Sequence, residues 1–190
     1  MKPGTFIAGH VRAFIALTLD AAAGAEVFAL IARLKNERAF AGVRWVAGEG
    51  VHLTLRFLGP SRPEVLSGLE PVLRETAGRC PPSVVRLGDL GLFPERGSPR
   101  VLWLGMELPG PVLALQAACE AAARAAGFEA EGRAFRAHLT LGRWRDRGQR
   151  PTLPAVDLGT TSLDRLTLFR SDLRSSGAIY TPLATFPLGG

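Results

Sequence analysis

At 190 residues, 47% of them hydrophobic and 21% charged, the chain has the composition of a folded globular protein with length enough to bury a core. That excludes a disordered or low-complexity polymer. The formal charge is +6, and lysine occurs only at Lys2 and Lys35, which leaves 21 arginines; the arginine fork suits phosphate and RNA, yet the arginines are scattered, and a bias in residue usage accounts for them equally well.

In chain order, 12–19 (RAFIALTL) reads as a buried strand. Asp20 then caps a helix on which Val27, Leu30, Ile31 and Leu34 recur at helical spacing, closed by Gly42. Residues 43–46 form a short strand, and 51–58 a longer one ending at Gly59-Pro60. Ser61 and Glu64 have capping-box spacing and open a second helix with a stripe of Val65, Leu66, Leu69, Val72 and Leu73. Two apolar runs, 84–93 and 100–108, flank a polar loop and predict a hairpin. Pro111 starts a third helix, stopped by Gly127, before a strand over 135–145. Residues 146–162 are polar and rich in Pro, Gly and Thr, hence a loop, and 163–173 and 178–186 are two closing strands.

The tetrapeptide His-Leu-Thr-Leu occurs twice, at 52–55 and 138–141, in a chain with only three histidines. On an extended strand each copy puts its imidazole and hydroxyl on one face, roughly 7 Å apart, and its two leucines on the other. The surroundings repeat weakly as well. Arg12 precedes His52 by 40 residues and Arg100 precedes His138 by 38, each through one helix. Matched halves of this kind predict two lobes sharing a cleft, with the histidines facing each other across it.

An isolated strand histidine is ordinarily structural, but a matched pair in matched strands is not explained by core packing. One neutral and one protonated imidazole near pH 7 supply a base and an acid, and threonine hydroxyls supply donors to phosphate oxygens. The chemistry expected is acid–base attack on a phosphate. No His-x-His, His-Glu-x-x-His, Gly-x-Ser-x-Gly or phosphate-binding glycine loop is present. Glu131 and Asp146 flank the second motif without joining its face, so no metal or other cofactor is expected. Arg143 falls on the opposite face from His138 under strict alternation and reaches the cleft only if Gly142 permits a bulge. Arg56 shares the parity of His52 and is the rival phosphate binder. His10 has no companion motif.

The paired H-x-T-x strands and the repeat around them resemble the 2H phosphoesterase superfamily, and within it the RNA 2′,3′-cyclic phosphodiesterases, also called 2′-5′ RNA ligases. The likeness runs through RAFIAL, RWVAGEGVHLTLRFLG, LGLFPERGSPRVLWLG, FRAHLTLGR and LFRSDLRSSGAIYTPL. One departure is Ala137, where the family commonly has proline. The resemblance implies His52 and His138 as the catalytic pair, Thr54 and Thr140 as phosphate-oxygen donors, and Arg143 ahead of Arg56 as phosphate binder. It also implies an α+β fold: one bilobal, pseudo-symmetric domain over 1–190, with two antiparallel sheets lining a central cleft and helices outside.

The expected activity is metal-independent hydrolysis of RNA 2′,3′-cyclic phosphate ends to 2′-phosphates, with His138 as base and His52 as acid. Alternatives are another cyclic or 2′-5′ phosphodiester such as ADP-ribose 1″,2″-cyclic phosphate, ligation of RNA ends, or a non-catalytic RNA-binding module. No apolar run reaches the ~20 residues of a membrane span. Gly9, His10 and Arg12 interrupt the segment after Lys2 where a signal peptide is apolar. Cys80 and Cys119 lack ligand spacing. A cytoplasmic monomer acting on RNA ends or nucleotides, away from membranes, is expected.

Overall fold

A computed structural model describes residues 9–46, 50–146, 149–174 and 177–189. Lys2, with the start of the N-terminal segment, lies outside them. So do 47–49 and 175–176, within two of the blocks that carry the resemblance.

The fold is α+β. The strands are β1 (Val11–Thr18), β2 (Val43–Trp45), β3 (His52–Ser61), β4 (Ser83–Phe93), β5 (Val101–Glu107), β6 (His138–Trp144), β7 (Thr160–Leu163), β8 (Arg165–Arg174) and β9 (Gly177–Pro187). The helices are α1 (Ala21–Lys35), α2 (Pro63–Gly78) and α3 (Gly110–Ala125). Asp20 caps α1 as its position predicts, accepting from the Ala23 N–H at 2.9 Å. The same carboxylate accepts from the Ser162 N–H at 2.7 Å and the Thr161 hydroxyl at 3.1 Å, joining residues 141 positions apart.

Three local expectations fail for identifiable reasons. β3 does not stop at Gly59-Pro60: it continues beside β1, with Arg12 opposite Pro60 and Val11 opposite Ser61. Ser61 is therefore a buried strand residue whose hydroxyl donates to the Gly59 carbonyl, and α2 begins at Pro63 with Arg62 as its uncapped N-terminus. Proline fits the first helical position, where its missing N–H forfeits no intrahelical bond. The polar stretch 146–162 is not loop throughout. Its last residues form β7, which completes the edge of β4.

The strands form one antiparallel sheet, ordered β7-β4-β5-β6-β3-β1-β8-β9, with β2 also on β6. This corrects the expectation of two sheets. Among the described residues the two halves of this order are paired at one position, Leu53 opposite Leu139. Outward from that seam the order is β3-β1-β8-β9 on one side and β6-β5-β4-β7 on the other, so both histidine motifs lie at the centre.

Leu53, Leu55, Leu139 and Leu141 are all buried, in one cluster with the inner faces of α1, α2 and α3. The helices thus cover the leucine face and leave the histidine face open. A second, small cluster of Phe14, Ala16 and Phe169 with Tyr180 lies apart from that core. Leu139 holds both the seam and the core, so Leu139→Ala is expected to cost roughly 2–5 kcal/mol. Leu139→Met, which conserves volume, should cost under about 1.5 kcal/mol. Urea denaturation of the two variants measures the difference.

Candidate active site

The seam pair fixes the positions of the motif residues. With Leu53 opposite Leu139 in antiparallel strands, His52 faces toward Thr140 and Thr54 toward His138. The two histidines stand on a diagonal, a relation that spans roughly 7–8 Å between neighbouring strands. His52, Thr54, Thr140 and Arg143 line one cleft of about 480 Å³. His138 lies just outside that lining, yet its charge lowers the pKa of His52, so the rings share a field.

Each imidazole is anchored in the same way. His52 Nδ1 is 2.9 Å from the Gly50 carbonyl oxygen, and His138 Nδ1 is 2.7 Å from that of Arg136. A carbonyl only accepts, so Nδ1 carries the hydrogen in both rings and Nε2 is the atom left for chemistry. Aromatic side chains hold the rings in place. Phe14 stacks on His52 at 4.6 Å and Tyr180 meets it edge-on at 5.0 Å. Phe93 meets His138 edge-on at 5.1 Å.

These contacts exclude water. Burial pushes the His52 pKa down to about 4, against the opposing bond to Gly50. Burial also lowers that of His138, where the Arg136 carbonyl opposes the shift and the charges of Arg143 and Arg136 add to it. Both rings are therefore neutral near pH 7.

The two arginine candidates are separated by a pair of bulges. On β6, Thr140 lies opposite Trp103 and Gly142 opposite Leu102, so Leu141 is the extra residue. Alternation shifts by one, and Arg143 comes out on the histidine face, exposed in the cleft. The slip depends on Gly142, where an added Cβ would meet Val43 Cγ1 at 2.4 Å.

β3 carries the same slip. Thr54 lies opposite Ala16 and Arg56 opposite Ile15, with Leu55 extra. Here the shift sends Arg56 to the helix face and brings Phe57 into the cleft. Arg56, only 6% exposed, places Nε 2.6 Å from Glu120 Oε2, donates to the Phe57 carbonyl at 2.7 Å and also donates to the Glu129 carbonyl. It is a buried structural cation, and the parity argument that made it a phosphate binder fails at the bulge. Residues that sequence reasoning did not single out are Phe14 and Tyr180 around His52, Phe93 and Trp103 around His138, and Arg12, Arg44 and Arg174 in the cleft. Phe14 shares strand parity with Arg12 and Ala16, the one local signal available. Among the described residues no three His, Cys, Asp or Glu side chains cluster as a metal site. No helix among them is long and apolar enough to cross a membrane.

Two outcomes follow from this chemistry. Arg56→Met leaves the Glu120 carboxylate without its cation and should cost about 3 kcal/mol of stability. Activity of the folded fraction should stay within a few-fold; if activity vanishes and stability does not change, Arg56 belongs to the site after all. For His52, the folded pKa of about 4 lies below the ordinary 6.5. Protons therefore bind the unfolded chain first as pH falls through that window, and stability is lost between about 6.5 and 4. His52→Asn should reduce the loss between pH 6.5 and 4.5 in chemical denaturation.

The chain is similar in sequence and in fold to known proteins. A family model described as "LigT like Phosphoesterase" matches residues 17–103. A curated protein of Methanothermobacter thermautotrophicus named RNA 2′,3′-cyclic phosphodiesterase is 33% identical over 94% of this chain and 99% of its own length. Among solved structures, TT0787 of Thermus thermophilus superposes with a TM-score of 0.81 at 30% identity, covering 94% of this chain and 98% of that one. E. coli LigT complexed with 3′-AMP gives a TM-score of 0.81 at 28% identity, covering 95% and 99%. The chain belongs to the LigT-like phosphoesterases of the 2H superfamily.

Proposed function

We propose that the cleft hydrolyses an RNA 2′,3′-cyclic phosphate to a 2′-phosphate end by two-histidine acid–base catalysis, without a metal ion. The observation that carries this reading is the matched anchoring of the rings. Each Nδ1–H is committed to a carbonyl two residues upstream, so each Nε2 is free to exchange a proton with the substrate. The name of the Methanothermobacter relative supports the substrate, and the bound 3′-AMP of the LigT structure supports a nucleotide-sized occupant.

In the proposed step His138 Nε2 takes a proton from water, whose oxygen attacks phosphorus. The P–O3′ bond breaks, and His52 Nε2 gives its proton to the departing O3′. The products are a 2′-phosphate and a 3′-hydroxyl. Thr54 and Thr140 donate hydroxyl hydrogens to the non-bridging oxygens, where charge accumulates, and Arg143 supplies a guanidinium.

Burial heads both pKa shifts, so the order of the roles rests on the charges beside each ring. Burial is the main cause for His52. An arriving phosphate anion offsets that penalty, and the faces of Phe14 and Phe169 tolerate a cation. His138 has in addition the permanent charges of Arg143 and Arg136 against its protonation, which favours a neutral base. The mirrored strand order is read as a duplicated, bilobal single domain, acting as a cytoplasmic monomer.

The test uses a dinucleotide ending in a 2′,3′-cyclic phosphate, assayed in a chelator. The parent protein should yield only the 2′-phosphate, and His52→Ala and His138→Ala should each lose about 10²–10⁴-fold in kcat. On a diester with a p-nitrophenolate leaving group, which departs without a proton, His52→Ala should recover most of its loss and His138→Ala should not. Near-normal turnover by either alanine variant on the cyclic substrate would sink the two-histidine mechanism.

A further inference from the structure

Both imidazoles hang by Nδ1 from the carbonyl two residues upstream, but that residue is Gly50 before His52 and Arg136 before His138. One half thus puts bare backbone beside its ring, the other a cation. The Arg136 side chain is held in place. Its Nη1 donates to Glu95 Oε1, and its guanidinium carbon lies 5.2 Å over the ring of Phe93, which in turn meets His138 edge-on. Glu95 sits in the loop 94–99, closed by the Arg100 N–H donating to the Phe93 carbonyl at 2.7 Å. Arg150 donates to the neighbouring Pro94 carbonyl at 2.6 Å. Arg136 and Glu95 are each about half exposed or more, a setting in which an ion pair adds little to stability. What the pair does add is a fixed place for the guanidinium. Burial, opposed by the bond to the Arg136 carbonyl, heads the lowering of the His138 pKa, and the charges of Arg143 and Arg136 add to it. The Arg136 charge therefore reaches the ring with Glu95 in place. His52 shares the field from across the seam, while β4 and β5 present the uncharged rings of Phe93 and Trp103.

We propose that Arg136 is a positioning residue that assigns the base role to His138: its carbonyl fixes the Nδ1–H, and its guanidinium, moored by Glu95 across Phe93, keeps a permanent cation beside that ring. Such a cation disfavours the imidazolium, so the ring stands ready as proton acceptor. Gly50 has no side chain to place a charge beside His52, and the arriving phosphate anion is left to favour protonation of that ring as the acid. The two copies of one tetrapeptide thus take unlike roles from the residue two places before each. This rests on the phosphodiesterase reading above and deepens it by naming what orders the two histidines.

The experiment is an NMR titration of the His138 ring without substrate, its signal assigned by its loss in His138→Ala. Arg136→Gln keeps the carbonyl and removes the charge, so the His138 pKa should rise by about half a unit, the scale of one solvent-screened charge. Arg136→Lys, which keeps a cation, should restore most of the parent value. Glu95→Gln frees the guanidinium to swing into solvent, so Arg136→Gln added in that background should shift the pKa by less than about half as much. The acid limb of the kcat/KM profile on a cyclic-phosphate dinucleotide should move with the NMR value. No shift in Arg136→Gln, or a shift that lysine does not reverse, overturns the role of the charge. A shift just as large in the Glu95→Gln background overturns the mooring. An acid limb that stays put while the ring's pKa moves overturns the assignment of the base role. Failure of the unmodified protein to hydrolyse the dinucleotide overturns the phosphodiesterase reading itself, and the NMR shifts stand apart from that result.

Discussion

The site depends on one backbone device used twice: an extra residue inserted after each His-x-Thr, Leu55 in β3 and Leu141 in β6. Without it, strict alternation would aim Arg56 into the cleft and turn Arg143 and Phe57 away. A bulge leaves a carbonyl without its ladder partner, and burial makes that costly. Both are satisfied from outside the neighbouring strand: the Leu55 carbonyl accepts from Gln116 of α3 at 3.3 Å, and that of Leu141 from the Val46 N–H at 2.9 Å. The bulges are therefore held by tertiary contacts rather than by the motif itself.

The second constraint is water exclusion. The aromatic rings that orient the imidazoles also remove the solvent that would stabilise their charge, so burial keeps both histidines neutral. Under the proposed mechanism the proton for the leaving oxygen arrives together with the phosphate anion, because the anion restores the stabilisation that burial took away. Proton loading is thereby linked to substrate binding. A solvated histidine pair would titrate near pH 6.5 whether or not a phosphate was present.

What the sequence shows follows from what is local. The faces of His52, Thr54, His138 and Thr140, the cap at Asp20 and the 84–108 hairpin all depend on residues within a strand or a turn of each other, and each is seen where its pattern puts it. Arg56 was legible only up to the bulge, since a slip between β1 and β3 belongs to a pair of strands and leaves no mark in either one. Ser61 has capping spacing in the sequence, but pairing with Val11 draws it into the sheet. β7 is invisible in a polar stretch because β4, some 77 residues earlier, supplies its reason to be a strand: Ser83 lies opposite Leu163 and Arg86 opposite Thr160. The ring of Tyr180 reaches His52 because β9 pairs with β8, β8 with β1 and β1 with β3, three ladders away from the motif.

The two halves use the same bulge to different ends, and the difference traces to what lies beside each strand. Past the seam, β6 gains β2 as a neighbour, with Trp45 opposite Gly142 and Arg44 opposite Arg143. An added Cβ after the bulge would meet the Val43 side chain at 2.4 Å, with the Arg44 carbonyl at 3.2 Å behind it, hence Gly142. On β3 the region past the seam is met by α3 and residues 129–131 instead, and the equivalent position has space for a long cation, hence Arg56 with Glu120 and the Glu129 carbonyl. The next residue in each strand then faces the cleft: a guanidinium at Arg143 on one side, an aromatic ring at Phe57 on the other. A cleft that was symmetric in both respects would offer a phosphate two equal orientations. An arginine on one side and a phenylalanine on the other make the ends unequal, so under the proposed mechanism a nucleotide would tell them apart and each histidine would keep one role.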